Sequence, residues 1–238
     1  MDLEGYGCSG FSYTEKYKKS IIDIYDYIEN HKSSNVVQYI DFQRKFNNEG
    51  ICAGSETRMI IPFLLKADII NKDKCIFHGS RISSLILDSD FFTHYGKCFI
   101  QYLKIDLKQF VFNDNLLAQK YLSNIGFRLS VIQFLNLCKN VDVYEDVRNF
   151  ITKYKYIDKI EFYILVTFKK KQKNIDLEKE IMKYRKSEYN NYQITSNIND
   201  FQYIKAQLLQ FKICNKIDDT NKIAFSQEYL EFIGDKYE

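Results

Sequence analysis

The sequence predicts an α-rich α+β fold in which small β-hairpins accompany many helices. Apolar residues recur at three- and four-residue spacings over most of the chain, which is typical of amphipathic helices. A few short runs are instead rich in β-branched and aromatic residues, which indicates strands. Hydrophobic residues make up 45% of the chain and charged residues 27%, and these proportions are typical of folded globular proteins rather than disordered ones.

Residues 1–107 are predicted to form a first domain after an irregular lead-in. Thr14 precedes a first helix, and a second helix is expected over 36–46 because apolar residues in both keep helical spacing. Ser55 is placed as the N-cap of a third helix. Pro62 lies inside that helix and is expected to bend it or to delay its start, because proline removes a backbone hydrogen bond.

A long hairpin and a closing helix complete this first domain. The first strand is predicted over 69–76, and the wing, meaning the hairpin with its loop, covers roughly 72–89. The chain returns at 91–93 and closes with a helix over 95–107. The wing also carries apolar residues, which predicts that part of it packs onto the domain: Ile82, Leu85, Ile86 and Leu87.

Residues 108–176 are predicted to form a helical middle. Helices are expected over 110–121, 127–137 and 142–154, where apolar residues keep helical spacing. The period then changes, and 159–168 is read as one strong strand because it is rich in β-branched and aromatic residues.

Residues 177–238 are predicted to repeat the plan of the first domain in a smaller form. A helix over 200–211 precedes a tight hairpin over 213–225 and a short closing helix. The stretches Ile69–Asp73 and Ile213–Asp218 occupy the same place in the two domains. The match is short, and both a chance echo and an internal repeat remain open at this stage.

Charge and cysteine usage limit the classes of function. Lys and Arg number 34 against 31 Asp and Glu, a net charge of +3, so any nucleic-acid-binding surface must be local. The 19 Tyr and 19 Phe are explained by A/T-rich coding. The six Cys lack zinc-site and disulfide-scaffold spacings, which indicates a reducing compartment. With no apparent signal peptide or membrane-spanning segment, we expect a cytoplasmic protein without membrane contact.

The order of helices, hairpin and closing helix over 14–105, and its weaker form over 177–236, resembles winged helix-turn-helix domains. The resemblance rests on a pattern of elements rather than on a residue signature. In that superfamily the third helix commonly enters the DNA major groove and the wing contacts the backbone or minor groove. The resemblance therefore implies two winged-helix domains joined by the helical middle, with double-stranded DNA as partner and with Ser55–Lys66 and Asn199–Lys212 as reading helices.

Candidate DNA contacts lie at the third helix, along the wing, in the lysine run after 168 and on the second reading helix. They are Ser55, Thr57, Arg58, Lys72, Lys74, Arg81, Lys169, Lys170, Lys171, Gln202 and Lys205. Arg58 is expected to read a guanine edge and Gln202 an adenine edge. The lysine run could neutralise phosphates. For Arg58 and for the lysines, a solvated or salt-bridged side chain is the alternative.

The sequence does not favour an enzyme. Phosphate-loop, dinucleotide and zinc-protease motifs are absent from it, and the histidines lie in separate segments: His31, His78 and His94. Asp158, Glu161 and Lys169 would serve a metal-dependent nuclease only if the fold brought them together. We therefore expect no catalytic residue, no metal ligand and no cofactor, and a nuclease stays the weaker alternative.

The leading interpretation is a non-catalytic DNA-binding protein. It would act as a regulator, as an initiator, or as the recognition subunit of an antiviral defence or restriction assembly. The alternative is a protein-bridging accessory subunit of an SMC-type complex, in which winged helices bind a protein partner or form a homodimer. That alternative requires an exposed apolar patch, for which the apolar wing residues are the candidates.

Overall fold

A computed structural model describes residues 1–7, 11, 13–107, 115–171, 176–188, 191–217 and 221–234. The chain forms two compact units: Tyr13–Asn140, and a second unit that combines Met1–Ser12 with Val141–Glu238. We call these the inserted unit and the discontinuous unit. The predicted middle domain is not a unit of its own, because the chain passes from one unit to the other after Asn140.

The helices and strands follow one another with short connections. In chain order they are β1 (Asp2–Glu4), α1 (Glu15–Asn30), β2 (Val36–Gln38), α2 (Tyr39–Asn48), α3 (Gly54–Lys66), a 3₁₀ helix (Lys72–Lys74), β3 (Cys75–His78), β4 (Arg81–Ile86), α4 (His94–Asp106), α5 (Leu116–Asn140), α6 (Asp142–Tyr154), α7 (Lys159–Lys171), α8 (Leu177–Arg185), β5 (Gln193–Ser196), α9 (Asp200–Gln210), β6 (Cys214–Lys216), β7 (Ile223–Phe225) and α10 (Gln227–Gly234).

The α-rich α+β class predicted from the sequence is confirmed, since most of the described residues are helical and the sheets among them are small. No helix within the described ranges is both long enough and apolar enough to span a bilayer.

The inserted unit builds an antiparallel sheet whose strand order is β2-β4-β3. In this sheet Val36 pairs with Ile86, and Cys75 pairs with Leu85. Leu85 is completely buried, so the central strand anchors the hairpin to the core. The unit therefore begins with helix, strand, helix, helix, hairpin and helix, and α5 follows. The strand that precedes α2 was not predicted.

The discontinuous unit has a related order around its own hairpin, with α8 and β5 added between α7 and α9. β6 pairs antiparallel with β7, and Ile157, just before α7, bridges to Ile223 of β7. β7 is therefore flanked by an early extended residue on one side and by β6 on the other, as β4 is flanked by β2 and β3. β1 and β5 form a separate parallel pair.

The strand predicted over 159–168 is wrong, because these residues lie in α7. Asp158 and Glu161 form a capping box: the Asp158 carboxylate accepts from the Glu161 N–H at 2.9 Å, and the Glu161 carboxylate accepts from the Asp158 N–H at 3.0 Å. This box satisfies backbone donors that begin a helix. Every residue from Glu161 to Phe168 is buried, and burial on all sides removes the polar face whose period would have indicated a helix.

Arg185 holds the start of α7 in place. Its Nε donates to Glu161 Oε1 at 2.6 Å, and its terminal nitrogens donate to the carbonyls of Tyr154 and Tyr156 at 3.2 and 3.3 Å. The Glu161 side chain is 0% exposed, and burial raises the pKa of its carboxyl group. The guanidinium group opposes that shift, because it stabilises the charged carboxylate.

Candidate nucleic-acid interface

α3 buries one face and presents the other to solvent. Thr57, Ile60, Ile61, Phe63 and Leu64 form the buried face, and the spacing of three and four residues keeps them on one side of the helix. The opposite side carries exposed and half-exposed residues that we call the α3 row: Ser55, Arg58, Met59, Pro62 and Lys66.

All side chains of the α3 row are neutral or basic. Arg58 is exposed, and its Nε makes a long hydrogen bond of 3.4 Å to the Gly54 carbonyl. Glu56 lies beside the row but is ion-paired with Lys16. That pairing lowers the pKa of the Glu56 carboxyl group, and it offsets the negative charge next to the row.

Thr57 is removed from the set of predicted contacts. It is 0% exposed, and its hydroxyl donates to the Ala53 carbonyl at 3.3 Å. Tyr39 also donates to the Thr57 carbonyl at 3.1 Å. Ser55 remains on the exposed row, although it does not cap the helix, because α3 begins at Gly54 after Ala53.

The wing carries both free and paired cations. Lys72 and Arg81 are exposed. Lys74 is half-buried and ion-paired, with its Nζ 2.6 Å from Asp88 Oδ2. The same hydrogen bond raises the pKa of Lys74 and lowers the pKa of Asp88. Lys74 is therefore neutralised within the chain, whereas Lys72 and Arg81 present their charges to solvent.

α9 presents a second row of the same kind. Gln202, Tyr203, Ala206 and Gln210 are exposed, whereas Phe201, Ile204, Gln207 and Leu208 are buried. We call the exposed residues the α9 row. Its side chains carry no formal charge, and its amides and hydroxyl both donate and accept hydrogen bonds.

Lys205 turns inward, contrary to its prediction as a DNA contact. It is 8% exposed, its Nζ donates to Asn221 Oδ1 at 3.1 Å, and it lies over the Phe201 ring at 5.6 Å. Burial lowers the pKa of its ammonium group, and nearby Lys216 acts in the same direction.

The lysine run lies at the end of α7 rather than in a turn after a strand. Lys169 Nζ is 2.8 Å from Asp146 Oδ1, and Lys170 Nζ donates to the Gly5 carbonyl. The side chain of Lys171 lies outside the described residues. The two described lysines are thus engaged within the discontinuous unit, which argues against this run as a phosphate site.

The helix–hairpin junctions of the two units share one backbone pattern. Asp68 and Lys212 both follow the helix with positive φ, at 55° and 56°. The next residue in each unit, Ile69 or Ile213, donates to a helix carbonyl five residues back, at 2.9 and 3.0 Å. The sequence L-L-x-x-x-I-x-N-K runs through both junctions, from Leu64 and from Leu208.

The residue just before the closing helix makes equivalent hydrogen bonds in the two units. Thr93 Oγ1 donates to the Asp68 carbonyl at 2.6 Å and accepts from the Gly96 N–H at 2.9 Å. Ser226 Oγ donates to the Lys212 carbonyl at 2.6 Å and accepts from the Tyr229 N–H at 3.1 Å. Backbone and side-chain hydrogen bonds therefore agree between the units, which favours an internal repeat over a chance echo.

The repeat places the two rows in register. When Leu64 is matched to Leu208, Arg58 corresponds to Gln202, Met59 to Tyr203, Pro62 to Ala206 and Lys66 to Gln210. At the start of the wings, Lys72 corresponds to Lys216, and both are exposed. Arg58 and Gln202, both predicted from the sequence as base contacts, thus occupy equivalent positions. The remaining row members are found by stepping three or four residues along each helix from these two.

The carboxylates proposed for a nuclease do not assemble into a metal site. Glu161 is buried against Arg185 and Asp158 caps α7, as described above. The acidic residues that follow β4 are engaged as well, because Asp88 is paired with Lys74 and also accepts from the Asp90 N–H at 2.9 Å. Within the described ranges, His, Cys, Asp and Glu side chains form no group of three that could hold a metal ion.

Comparison of the chain with protein-family models, with curated proteins and with solved structures found no match.

Proposed function

We propose that this chain is a non-catalytic protein that binds double-stranded DNA through two winged helices. It would serve as a regulator, as an initiator, or as the recognition subunit of a defence or restriction assembly. The observation that carries the proposal is the α3 row, an exposed helix face that is neutral or basic in a chain of nearly balanced charge. The order of α1, β2, α2, α3, the β3–β4 hairpin and α4 in the inserted unit supports it, because the resemblance to winged helices rests on such an order of elements.

The exposed cations set the expected strength of the salt effect. Arg58, Lys66, Lys72 and Arg81 are exposed in the inserted unit. If they make about four phosphate contacts, the slope of log K against log salt is about −3.6. A rise from about 50 to about 200 mM salt should then weaken binding roughly 100-fold.

The test is fluorescence anisotropy of a labelled mixed-sequence duplex at those two salt concentrations. Arg58→Ala should weaken binding and make the slope shallower by about 0.9, the share of one phosphate contact. The matched control is Arg148→Ala, which removes a partly exposed arginine of α6 that pairs with Glu145 at 3.8 Å. No binding at the lower salt, or equal effects of the two variants, would refute the proposal.

A protein-bridging role is the second candidate, and it rests only in part on the wing. Leu85 and Leu87 are 0% and 5% exposed, whereas Ile82 and Ile86 are half-buried, so the patch predicted there is only partly accessible. The start of α5 supports this role as well: Leu116, Leu117 and Tyr121 are 80%, 64% and 65% exposed, and exposed apolar clusters mark interaction sites. Sedimentation velocity of the wild type beside Leu117→Glu tests the homodimer form, which a monomeric wild type would exclude.

A further inference from the structure

The two rows hold equivalent places in a repeated unit but carry different chemistry. At the first matched position the α3 row has Arg58 and the α9 row has Gln202. Two turns further on, the α3 row has Lys66 and the α9 row has Gln210. Both helices are held by the same junction hydrogen bonds described above. The difference between the faces therefore lies in their side chains and not in their backbone support.

Charge and amide groups recognise different parts of a duplex. Arginine and lysine release counterions from phosphates and so produce the salt-dependent part of affinity. A glutamine adds no counterion release, but its amide can both accept from adenine N6 and donate to adenine N7, a pairing that discriminates between bases. A small apolar side chain one turn away, such as Ala206, can contact a thymine methyl group.

We propose that the two units have different roles in DNA recognition, one in affinity and the other in base selection. The cations of the α3 row and of the wing behind it in sequence supply the salt-dependent affinity. The α9 row is a second DNA-reading surface that selects a subsite of A·T pairs through Gln202, with Ala206 against a thymine methyl. This inference rests on the proposed function, since it needs the chain to bind duplex DNA. It extends the expected adenine contact of Gln202 to an A·T subsite read by the α9 row, and it assigns to that row no share of the salt dependence.

The burial of Lys205 supports this division. Lys205 is the cation nearest in sequence to Gln202 on α9, and it is directed to Asn221 and the Phe201 ring rather than to solvent. The row that remains exposed on α9 is uncharged along its length. Lys216, at the start of the wing, is the exposed cation that corresponds to Lys72.

The experiment begins with selection of tight-binding duplexes from a randomised pool by the wild-type chain. One selected duplex is then titrated at several salt concentrations, intact and with its A·T subsite replaced by G·C pairs. Gln202→Ala should cost about 5- to 150-fold on the intact duplex, which corresponds to one bidentate base contact. It should leave the salt slope unchanged and remove the preference for the A·T subsite.

Two matched variants complete the design. Arg58→Ala should make the slope shallower by about 0.9 and leave the A·T preference intact. Gln202→Arg installs the side chain of the equivalent α3 position, and it should steepen the slope by about 0.9 and shift the preferred base toward guanine. Because Gln202 is exposed, neither Gln202 variant should alter the far-UV circular dichroism spectrum.

The outcomes separate this inference from the proposed function. If the pool yields no bound duplex, the proposed function and this inference both fail. A second outcome is that duplexes bind while Gln202→Ala keeps the A·T preference, or while it makes the salt slope shallower as much as Arg58→Ala does. In either case only the inference of separate roles for the two units is refuted.

Discussion

The hydroxyl of Thr93 is expected to hold α4 against the end of α3, and removing it should destabilise the inserted unit. Thr93→Val keeps the shape of the side chain and deletes the oxygen. The variant loses the bond that caps α4 through the Gly96 N–H and the bond to the Asp68 carbonyl. The backbone bond from the Thr93 N–H to the Ile69 carbonyl, at 3.0 Å, is left in place.

The expected loss follows from these two bonds. An N-cap hydroxyl is worth about 1 kcal/mol. A hydrogen bond to a partly buried carbonyl contributes about 1 kcal/mol more. Thr93→Val should therefore lower the free energy of unfolding of the inserted unit by about 2 kcal/mol.

Native-state hydrogen exchange with mass spectrometry measures this loss in each unit separately. Peptides from α3 and α4 should lose protection in Thr93→Val, whereas peptides from α9 and α10 should not. Thr93→Ser keeps the hydroxyl and is the control. If Thr93→Ser loses as much protection as Thr93→Val, the hydroxyl is not the source of the stability.

The repeat extends this prediction to the other unit. Ser226 is 2% exposed and makes the same pair of hydrogen bonds at the start of α10. Ser226→Ala should cost about 2 kcal/mol for the same reasons, now in the peptides of α9 and α10. If Thr93→Val and Ser226→Ala lower the free energy of unfolding of their units by clearly different amounts, the equivalent hydrogen bonds do not contribute equally to stability.

Three further changes test other contacts. Gly96→Ala places a Cβ 2.1 Å from the Ile69 carbonyl oxygen, and because backbone cannot easily move aside, urea unfolding should show a loss of about 3 kcal/mol. Arg185→Ala leaves the Glu161 carboxylate buried without its partner, which should cost about 3 to 5 kcal/mol at neutral pH. Cys98 is exposed, and with Cys8 replaced by Ser it should react with a thiol reagent before any other cysteine.

Each of these changes has a control. Gly54→Ala, where the nearest atom lies 3.9 Å away, should be tolerated. In Arg185→Ala the pKa of Glu161, already raised by burial, should rise further. A raised pKa in the folded state means that stability is present at low pH and is lost as pH rises through that pKa. Acidification should therefore recover part of the loss, and adding Glu161→Gln should recover it at neutral pH. Early labelling of buried Cys214 instead of Cys98 would contradict the burial of that thiol.

Helical spacing predicted most helices but not the surroundings of their ends. The first helix after Thr14 was predicted correctly because its apolar residues repeat every three or four positions. α7 was mistaken for a strand because its β-branched and aromatic residues have high strand propensity. The Asp158–Glu161 capping box at the start of the apolar run would have indicated a helix instead. β2 was absorbed into a predicted helix because strand pairing with β4 is a long-range contact that local spacing does not reveal.

The candidate site was predicted in part. Arg58 and Gln202 were chosen because polar residues stand out at the start of α3 and α9, and both side chains are exposed; their contact with DNA stays a prediction. Thr57 could have been excluded as a DNA contact from the sequence, because the spacing to Ile60, Ile61 and Leu64 places it on the buried face of α3. Lys205 could have been excluded in the same way, because Ile204 and Leu208 place it on the buried face of α9. The pairing of Lys74 with Asp88 could not have been excluded or predicted, because it depends on how the hairpin folds back.

The pairing of β1 with β5 has a consequence for biosynthesis. Translation makes β1 before the inserted unit, and its partner strand β5 is made only after that unit. The inserted unit can complete its own core while β1 is still unpaired, because domains generally fold as units in the order of their synthesis. The Met1 carbonyl accepts from the Gln193 N–H at 3.1 Å, so a tag fused before Met1 would sit beside one of the last pairings to form. If such a fusion folds more slowly than one that carries the same tag at the other end, the slow step is the late pairing of β1 with β5.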